Sequence, residues 1–128
     1  MSKVLIVEDN ELNRDMLSRR LTRRGWEVAM ACDGREGFEA AVANPPDLIL
    51  LDMHLPGADG WTAAALLKKD SRTARIPVVA LTARTMVGDR EKALEAGCDE
   101  FEPKPVELNR LLEKMQALIQ GRREDGAN

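Results

Sequence analysis

The sequence predicts an α/β fold in which helices cover both faces of a parallel sheet. Three observations predict it: strand-length apolar runs alternate with helical spacing, the run 47–51 is apolar on both faces, and turn residues separate the runs. Such βα units join parallel strands through right-handed crossovers. Five of them favour a flavodoxin-like (βα)5 doubly wound sandwich with the strand order 2-1-3-4-5.

Each element follows from a local pattern. Apolar runs predict strands at 3–7, 26–30, 47–51, 77–81 and 100–102. Apolar residues at helical spacing predict helices from about 12 to a stop at Gly25, at 36–42, at 60–69, at 87–96 before Gly97, and from Pro105 to about 119.

Length and composition favour a single soluble domain. The 128 residues suit one core, which we assign to residues 1–120, and the polar segment 121–128 is expected to be a frayed, disordered tail. No apolar run approaches the roughly 18 residues of a membrane span, and the start carries no signal-peptide pattern. A cytoplasmic protein without membrane contact is therefore expected.

The net charge limits the kinds of partner to expect, and the cysteine spacing indicates the state of the thiols. A net charge of -3 argues against direct nucleic-acid binding, which normally needs a basic face, and favours recognition of other proteins. Cys32 and Cys98 form no C-x-x-C motif, so we expect two buried, reduced thiols.

Acidic residues end two of the predicted strands. Glu8 and Asp9 follow the first apolar run and Asp52 follows the third. If these strands are neighbours, three carboxylates meet at the carboxyl edge of the sheet, where open α/β sheets bind their ligands. They repel one another strongly unless a cation lies among them or their pKa values rise. A divalent cation would offset the repulsion, and Mg²⁺ fits oxygen ligands at a site completed by water and phosphate, with Mn²⁺ as a substitute.

The same edge gains a hydroxyl and an ammonium group from the last two strands. Thr82 ends the fourth run, and Lys104 follows the fifth. This set suits phosphoryl transfer, with Asp52 as the nucleophile and with Thr82 and Lys104 holding the transferred oxygens.

In order and position, Glu8-Asp9, Asp52, Thr82-Ala83 and Lys104-Pro105 resemble the receiver domain of two-component response regulators. The resemblance extends from Lys3 to about Ile119, and the opening VLIVEDNELNRDML resembles stand-alone receivers of the DivK type. It implies a phosphorelay switch that accepts a phosphoryl group on Asp52 from a sensor histidine kinase or a histidine phosphotransfer protein. Output would pass to a downstream protein target, from a monomer or a weak, phosphorylation-dependent dimer.

The resemblance also implies roles for individual residues. Asp9, Asp52 and the backbone carbonyl of His54 would bind the metal directly, and Glu8 would bind it through water. Thr82 and Ala83 would contact the phosphoryl group, and the Lys104-Pro105 bond would be cis. Phe101 lies where the family keeps a switch aromatic, although an ordinary core aromatic is an equal alternative.

Two positions differ from a plain receiver, His54 and Arg84, each two residues after a site residue. We hypothesise that these side chains flank the phosphoryl group and hinder the hydrolytic water, which would give a long-lived acyl phosphate. The imidazole of His54 is expected to be a loop side chain near solvent rather than a metal ligand.

Two other functions share this architecture. An aspartyl-phosphate hydrolase of the haloacid dehalogenase type would also use a strand-end aspartate and Mg²⁺, but it requires an acid where this chain has His54. A flavin or nucleotide module would need a phosphate loop after the first strand, where Glu8 and Asp9 repel phosphate. We therefore expect slow self-dephosphorylation rather than the repeated turnover of an enzyme.

Overall fold

A computed structural model describes residues 2–55, 60–82 and 89–126 of the chain. These residues form five strands and five helices in alternation. The strands are β1 (Lys3–Val7), β2 (Glu27–Ala31), β3 (Leu48–Asp52), β4 (Val78–Thr82) and β5 (Glu100–Pro103). The helices are α1 (Glu11–Arg23), α2 (Gly34–Ala43), α3 (Gly60–Lys69), α4 (Asp89–Glu95) and α5 (Leu108–Gly126).

The strands form one parallel sheet in the order β2-β1-β3-β4-β5, which confirms the predicted fold. Register aligns the carboxyl ends of the central strands, because Asp52 on β3 lies beside Leu81 on β4 and Thr82 lies beside Pro103 on β5. Polar groups that end separate strands are thereby brought to one edge of the sheet.

Alternate strand residues supply a core on each face of the sheet. On one face Ile6, Leu50 and Leu81 pack with α1 and α5 through residues such as Leu21 and Met115. On the other face strand residues pack with α2, α3 and α4, chiefly through small or aliphatic side chains: Ala41, Ala63, Ala64, Leu67 and Ala93. Strands β3 and β4 are fully buried, as a central parallel strand should be.

Local signals position the helices near the functional edge. The Asn10 side chain caps α1 by accepting from the backbone N–H of Asn13 at 2.9 Å, and Asp33 caps α2 in the same way through Glu36 at 2.8 Å. Gly25 and Gly97 have φ of 92° and 101°, left-handed conformations that suit a glycine after a helix. Over the described residues, no helix combines the length and apolarity that a membrane crossing requires.

Three expectations differ from the structure. Pro105 does not open the last helix, which begins at Leu108 because the Glu107 carboxylate accepts from the N–H groups of Asn109 and Arg110. Helix α5 continues to Gly126, past the end expected at about residue 119, because Arg and Glu in 122–124 are good helix formers. Cys98 is buried as expected, but Cys32 is exposed and donates to Glu36.

Candidate functional site

Three carboxylates cluster at the carboxyl edge of the sheet, as the sequence predicted. Glu8 and Asp9 follow β1, and Asp52 is the last residue of β3. One oxygen from each residue lies within 4.8 Å of the other two. Glu8 and Asp52 are each only 3% exposed, whereas Asp9 faces solvent.

Lys104 is the cation that the structure places among these acids. Its Nζ donates to Glu8 Oε2 at 2.9 Å and to Asp52 Oδ2 at 3.1 Å. Its backbone N–H donates to the carbonyl of Thr82 at 2.7 Å, which ties this residue to β4. The following bond to Pro105 is cis, as the resemblance implied. Burial disfavours the charged ammonium, but the two acids outweigh that effect and raise the pKa of Lys104.

Glu8 is held in an environment that disfavours its charge. Burial is the largest cause and raises its pKa, and the neighbouring charge of Asp52 adds to that, while the hydrogen bond from Lys104 opposes both. The Glu8 carboxylate also accepts from the backbone N–H of Asn10 at 3.2 Å. Glu8 is therefore fixed in place but incompletely neutralised.

The donor set fits a divalent cation. All three clustered side chains offer hard oxygen atoms, the ligands that Mg²⁺ prefers, and one lysine cannot neutralise three acids. Asp9 leaves one side of the cluster open to water, which suits an ion that keeps part of its hydration shell.

His54 contacts two site residues, an arrangement that sequence reasoning did not predict. Its backbone N–H donates to Asp52 Oδ1 at 3.0 Å, and its ring Nε2 lies 3.0 Å from the Thr82 hydroxyl oxygen. Thr82 is fully buried at the end of β4, whereas His54 is exposed. The imidazole therefore reaches from the surface to the buried hydroxyl.

The remaining predicted residues are distributed as follows. Phe101 is half-buried on β5, pairs with Ala80 and packs against the core, and its carbonyl accepts from Lys114. Ala83 and Arg84 lie outside the described residues, so their expected roles stay predictions.

Two further residues shape the site without a sequence signal strong enough to identify them. Gly60 begins α3 against β3, where a Cβ would lie 2.4 Å from the Met53 Cα and 2.6 Å from the Asp52 carbonyl oxygen. Any side chain there would displace the backbone of the proposed phosphoacceptor. Arg14 on α1 donates to the Glu8 carbonyl at 2.8 Å and thereby ties the helix to the acidic loop.

A second buried carboxylate, Glu102, lies on β5. It is 0% exposed and accepts from Arg110 Nη2 at 2.7 Å, from Arg110 Nε at 3.0 and 3.1 Å, and from Lys114 at 2.8 Å. Burial alone would raise its pKa, but these hydrogen bonds outweigh burial and lower it.

Comparison with known proteins agrees with this geometry. Residues 4–116 match the response regulator receiver domain family. The chain is 36% identical to the polar-differentiation response regulator DivK of Brucella anthropi, over 91% of this chain and 94% of that protein. It is 38% identical to the DNA-binding dual master transcriptional regulator RpaA of Synechocystis over 93% of this chain, but it spans only about half (49%) of RpaA.

A solved structure gives the same result. The receiver domain of the sensor histidine kinase PA1611 of Pseudomonas aeruginosa, which has a magnesium ion coordinated in its active-site cleft, superposes with a TM-score of 0.86. It is 33% identical, and the match covers 93% of this chain and 98% of that one. With its sheet order, its acidic edge and these matches in agreement, the chain belongs to the response regulator receiver domain family.

Proposed function

We propose that this protein is a phosphorelay switch whose Asp52 accepts a phosphoryl group from a partner phosphohistidine. The observation that carries the proposal is the environment of the Asp52 carboxylate. Both of its oxygens are oriented, one by the His54 N–H and the other by Lys104, beside two further acids that fit a metal. The receiver family supports this switch and gives no support to the hydrolase alternative.

In the transfer, an oxygen of Asp52 forms a bond to phosphorus while the bond from phosphorus to the donor imidazole nitrogen breaks. The bonding electrons return to that nitrogen, and the product is an acyl phosphate. Lys104 lies within reach of the transferred oxygens, and Thr82 supplies a hydroxyl donor from β4.

We assign the metal to Asp9 and Asp52, with Glu8 acting through water and with the carbonyl of His54 as a further ligand. When bound, Mg²⁺ would neutralise charge on the phosphoryl oxygens. The magnesium in the PA1611 receiver supports this assignment. The carboxylates of Glu8 and Asp52 are buried and held in place, and the exposed position of Asp9 would leave the ion open to water.

The donor protein is proposed to dock on α1. A groove of about 440 Å³ lies beside this helix, and its lining includes Glu8 and Lys104 of the acidic edge and Met16 and Arg20 of α1. Leu12 and Met16 are 69% and 46% exposed, and Met16 lines the groove. Exposed apolar side chains on a helix that borders the acidic edge are suited to contact with a partner protein.

The central test is phosphorylation with acetyl phosphate and Mg²⁺. We expect one phosphoryl group on Asp52, lost on chelation of the metal and in Asp52→Asn, and retained in Asp15→Asn, a matched change on α1. Label that persists in Asp52→Asn would refute the assignment, and many turnovers of acetyl phosphate per protein would favour the hydrolase.

Docking has its own test, which uses a phosphorylated histidine phosphotransfer protein as donor. We expect Met16→Glu to slow transfer by about tenfold, the effect of losing one important interface contact, without changing the reaction with acetyl phosphate. Leu66→Glu on α3, which replaces another exposed side chain, serves as the control and should leave both rates unchanged. Equal slowing by both changes would contradict docking on α1.

Four finer predictions complete the proposal. His54 and Arg84 are proposed to lengthen the life of the acyl phosphate, and unchanged decay in His54→Ala and Arg84→Ala would contradict this. Slow self-dephosphorylation, a cytoplasmic location and a monomer or weak dimer stay predictions of the same kind.

A further inference from the structure

His54 is the residue that links the proposed phosphoacceptor to the buried hydroxyl of β4. Its backbone contacts Asp52 and its ring contacts Thr82, at 3.0 Å in each case. The two contacts belong to different parts of the same residue, so the ring contact can be removed by mutation while the backbone contact is kept.

The chemistry of a hydroxyl makes the ring contact consequential. A threonine hydroxyl has one hydrogen to donate, and which group donates between it and the His54 ring depends on the tautomer: with its own hydrogen on Nδ1, the imidazole accepts at Nε2. While that hydrogen is directed at His54, it is not available to an oxygen of a phosphoryl group on Asp52. The side chain of Thr82 is fully buried, whereas the ring of His54 lies at the surface, where water can solvate it after release.

We propose that the His54 imidazole is a latch that holds the Thr82 hydroxyl in the resting conformation and opposes its movement to the phosphoryl group. This inference rests on the proposed function, since it assumes phosphorylation of Asp52 and donation by Thr82. It assigns to His54 a role as a positioning residue that acts on Thr82.

The latch differs from the shielding role proposed above for His54. A side chain that only hinders water would act whether or not residue 82 carries a hydroxyl. A latch acts only through the hydroxyl of Thr82, so a double-mutant cycle between the two positions separates the two roles.

The test measures the apparent Kd of the phosphoryl mimic beryllofluoride in saturating Mg²⁺ by titration calorimetry. Two substitutions form a matched pair: the amide oxygen of His54→Gln can reach the position of Nε2 and accept from the Thr82 hydroxyl, whereas that of His54→Asn reaches only the position of Nδ1. Thr82→Val removes the hydroxyl and keeps the shape of the buried side chain. All variants retain the backbone of residue 54.

We expect His54→Asn to tighten beryllofluoride binding by about fivefold, the factor that corresponds to one ordinary protein hydrogen bond lost from the resting state alone. His54→Gln should bind as the wild type does. In the Thr82→Val background, His54→Asn should have no effect.

The outcomes separate the two levels of the proposal. The latch would be overturned, and phosphorylation of Asp52 left intact, by any of three results. His54→Asn could have the same effect with Thr82 as with Thr82→Val, it could have no effect with either, or it could weaken beryllofluoride binding in the protein that keeps Thr82. Failure of the wild type itself to bind beryllofluoride would overturn the proposed function and the latch with it.

Discussion

Two centres in this molecule bury a carboxylate next to a cation. In one the negative charge exceeds the positive charge, and in the other the positive charge exceeds the negative. At the acidic edge, Lys104 serves Glu8 and Asp52 and has the exposed Asp9 nearby, so one cation faces three acids. On β5, Arg110 and Lys114 both serve Glu102, so two cations face one acid. The pKa of Glu8 is accordingly raised and that of Glu102 is lowered.

The difference distinguishes a structural centre from a reactive one. Glu102 has its charge fully compensated, and its hydrogen bonds fasten α5 to β5. The acidic edge keeps an excess of negative charge that the fold does not remove, which disfavours the metal-free state and favours a cation. Incomplete neutralisation is thus a physical basis for the proposed binding of a metal, and the metal would in turn offset the charge of a phosphoryl group.

The largest expected effect comes from removing the charge of Glu102, the carboxylate that Arg110 and Lys114 compensate. Glu102→Gln leaves two cations facing a neutral amide and should lower the free energy of unfolding by about 2 kcal/mol, the scale of hydrogen bonds to charged groups. Urea denaturation measures this, with Glu113→Gln, an exposed change on α5, the helix that carries Arg110 and Lys114, as the control. A loss of stability no larger than that of the control would remove the contrast between the two centres.

The second prediction removes the only ammonium group that contacts the acidic edge in the described structure. Lys104→Gln should lower metal-free stability by about 1 kcal/mol, because three acids are then left without a cation. Mg²⁺ should restore more stability to this variant than to the wild type, since ligand binding to the native state adds RT ln(1 + [L]/Kd) and the metal no longer meets a competing charge. Thermal melts with and without Mg²⁺ check this, and an equal gain for both proteins would contradict it.

The sequence pattern predicted the fold and which residues lie at the site. The fold depends on hydrophobic periodicity, and the site depends on the polar residues that follow each strand. Alternating apolar runs specified the parallel sheet, and parallel strands necessarily bring Glu8, Asp52, Thr82 and Lys104 to one edge. Element ends differ from the sequence pattern because capping decides many of them: the Glu107 carboxylate, rather than Pro105, fixes where α5 begins.

The features that the sequence could not predict depend on where side chains point and on how closely two elements pack. The contact between His54 and Thr82 joins residues 28 positions apart through a surface ring. The need for Gly60 arises only once α3 lies against the backbone of Asp52 and Met53. Likewise, the cations of Glu102 come from another element, so a glutamate on a short strand gave no sign of a buried ion-pair network.

A third prediction tests the acidic edge by removing the charge of one of its acids, Glu8. Because the fold disfavours the charge of Glu8, Glu8→Gln should raise metal-free stability at neutral pH by up to about 1 kcal/mol while weakening Mg²⁺ binding. The same glutamate-to-glutamine change is thus expected to act with opposite sign at positions 8 and 102. Urea denaturation in the presence of a chelator measures it, and a destabilised Glu8→Gln would show that Lys104 compensates this acid after all.

The smallest expected effect is the pH dependence of the stability that Glu102 contributes. The folded pKa of Glu102 lies below its ordinary value of 4.5, so its stabilising contribution is complete above about that pH and is lost as the pH falls through the lowered folded pKa. The stability difference between the wild type and Glu102→Gln should therefore be constant from neutral pH down to about 4.5 and shrink below it. Urea denaturation of both proteins over this range checks it. A difference that began to shrink well above that pH would mean that Arg110 and Lys114 do not hold the carboxylate in its charged form.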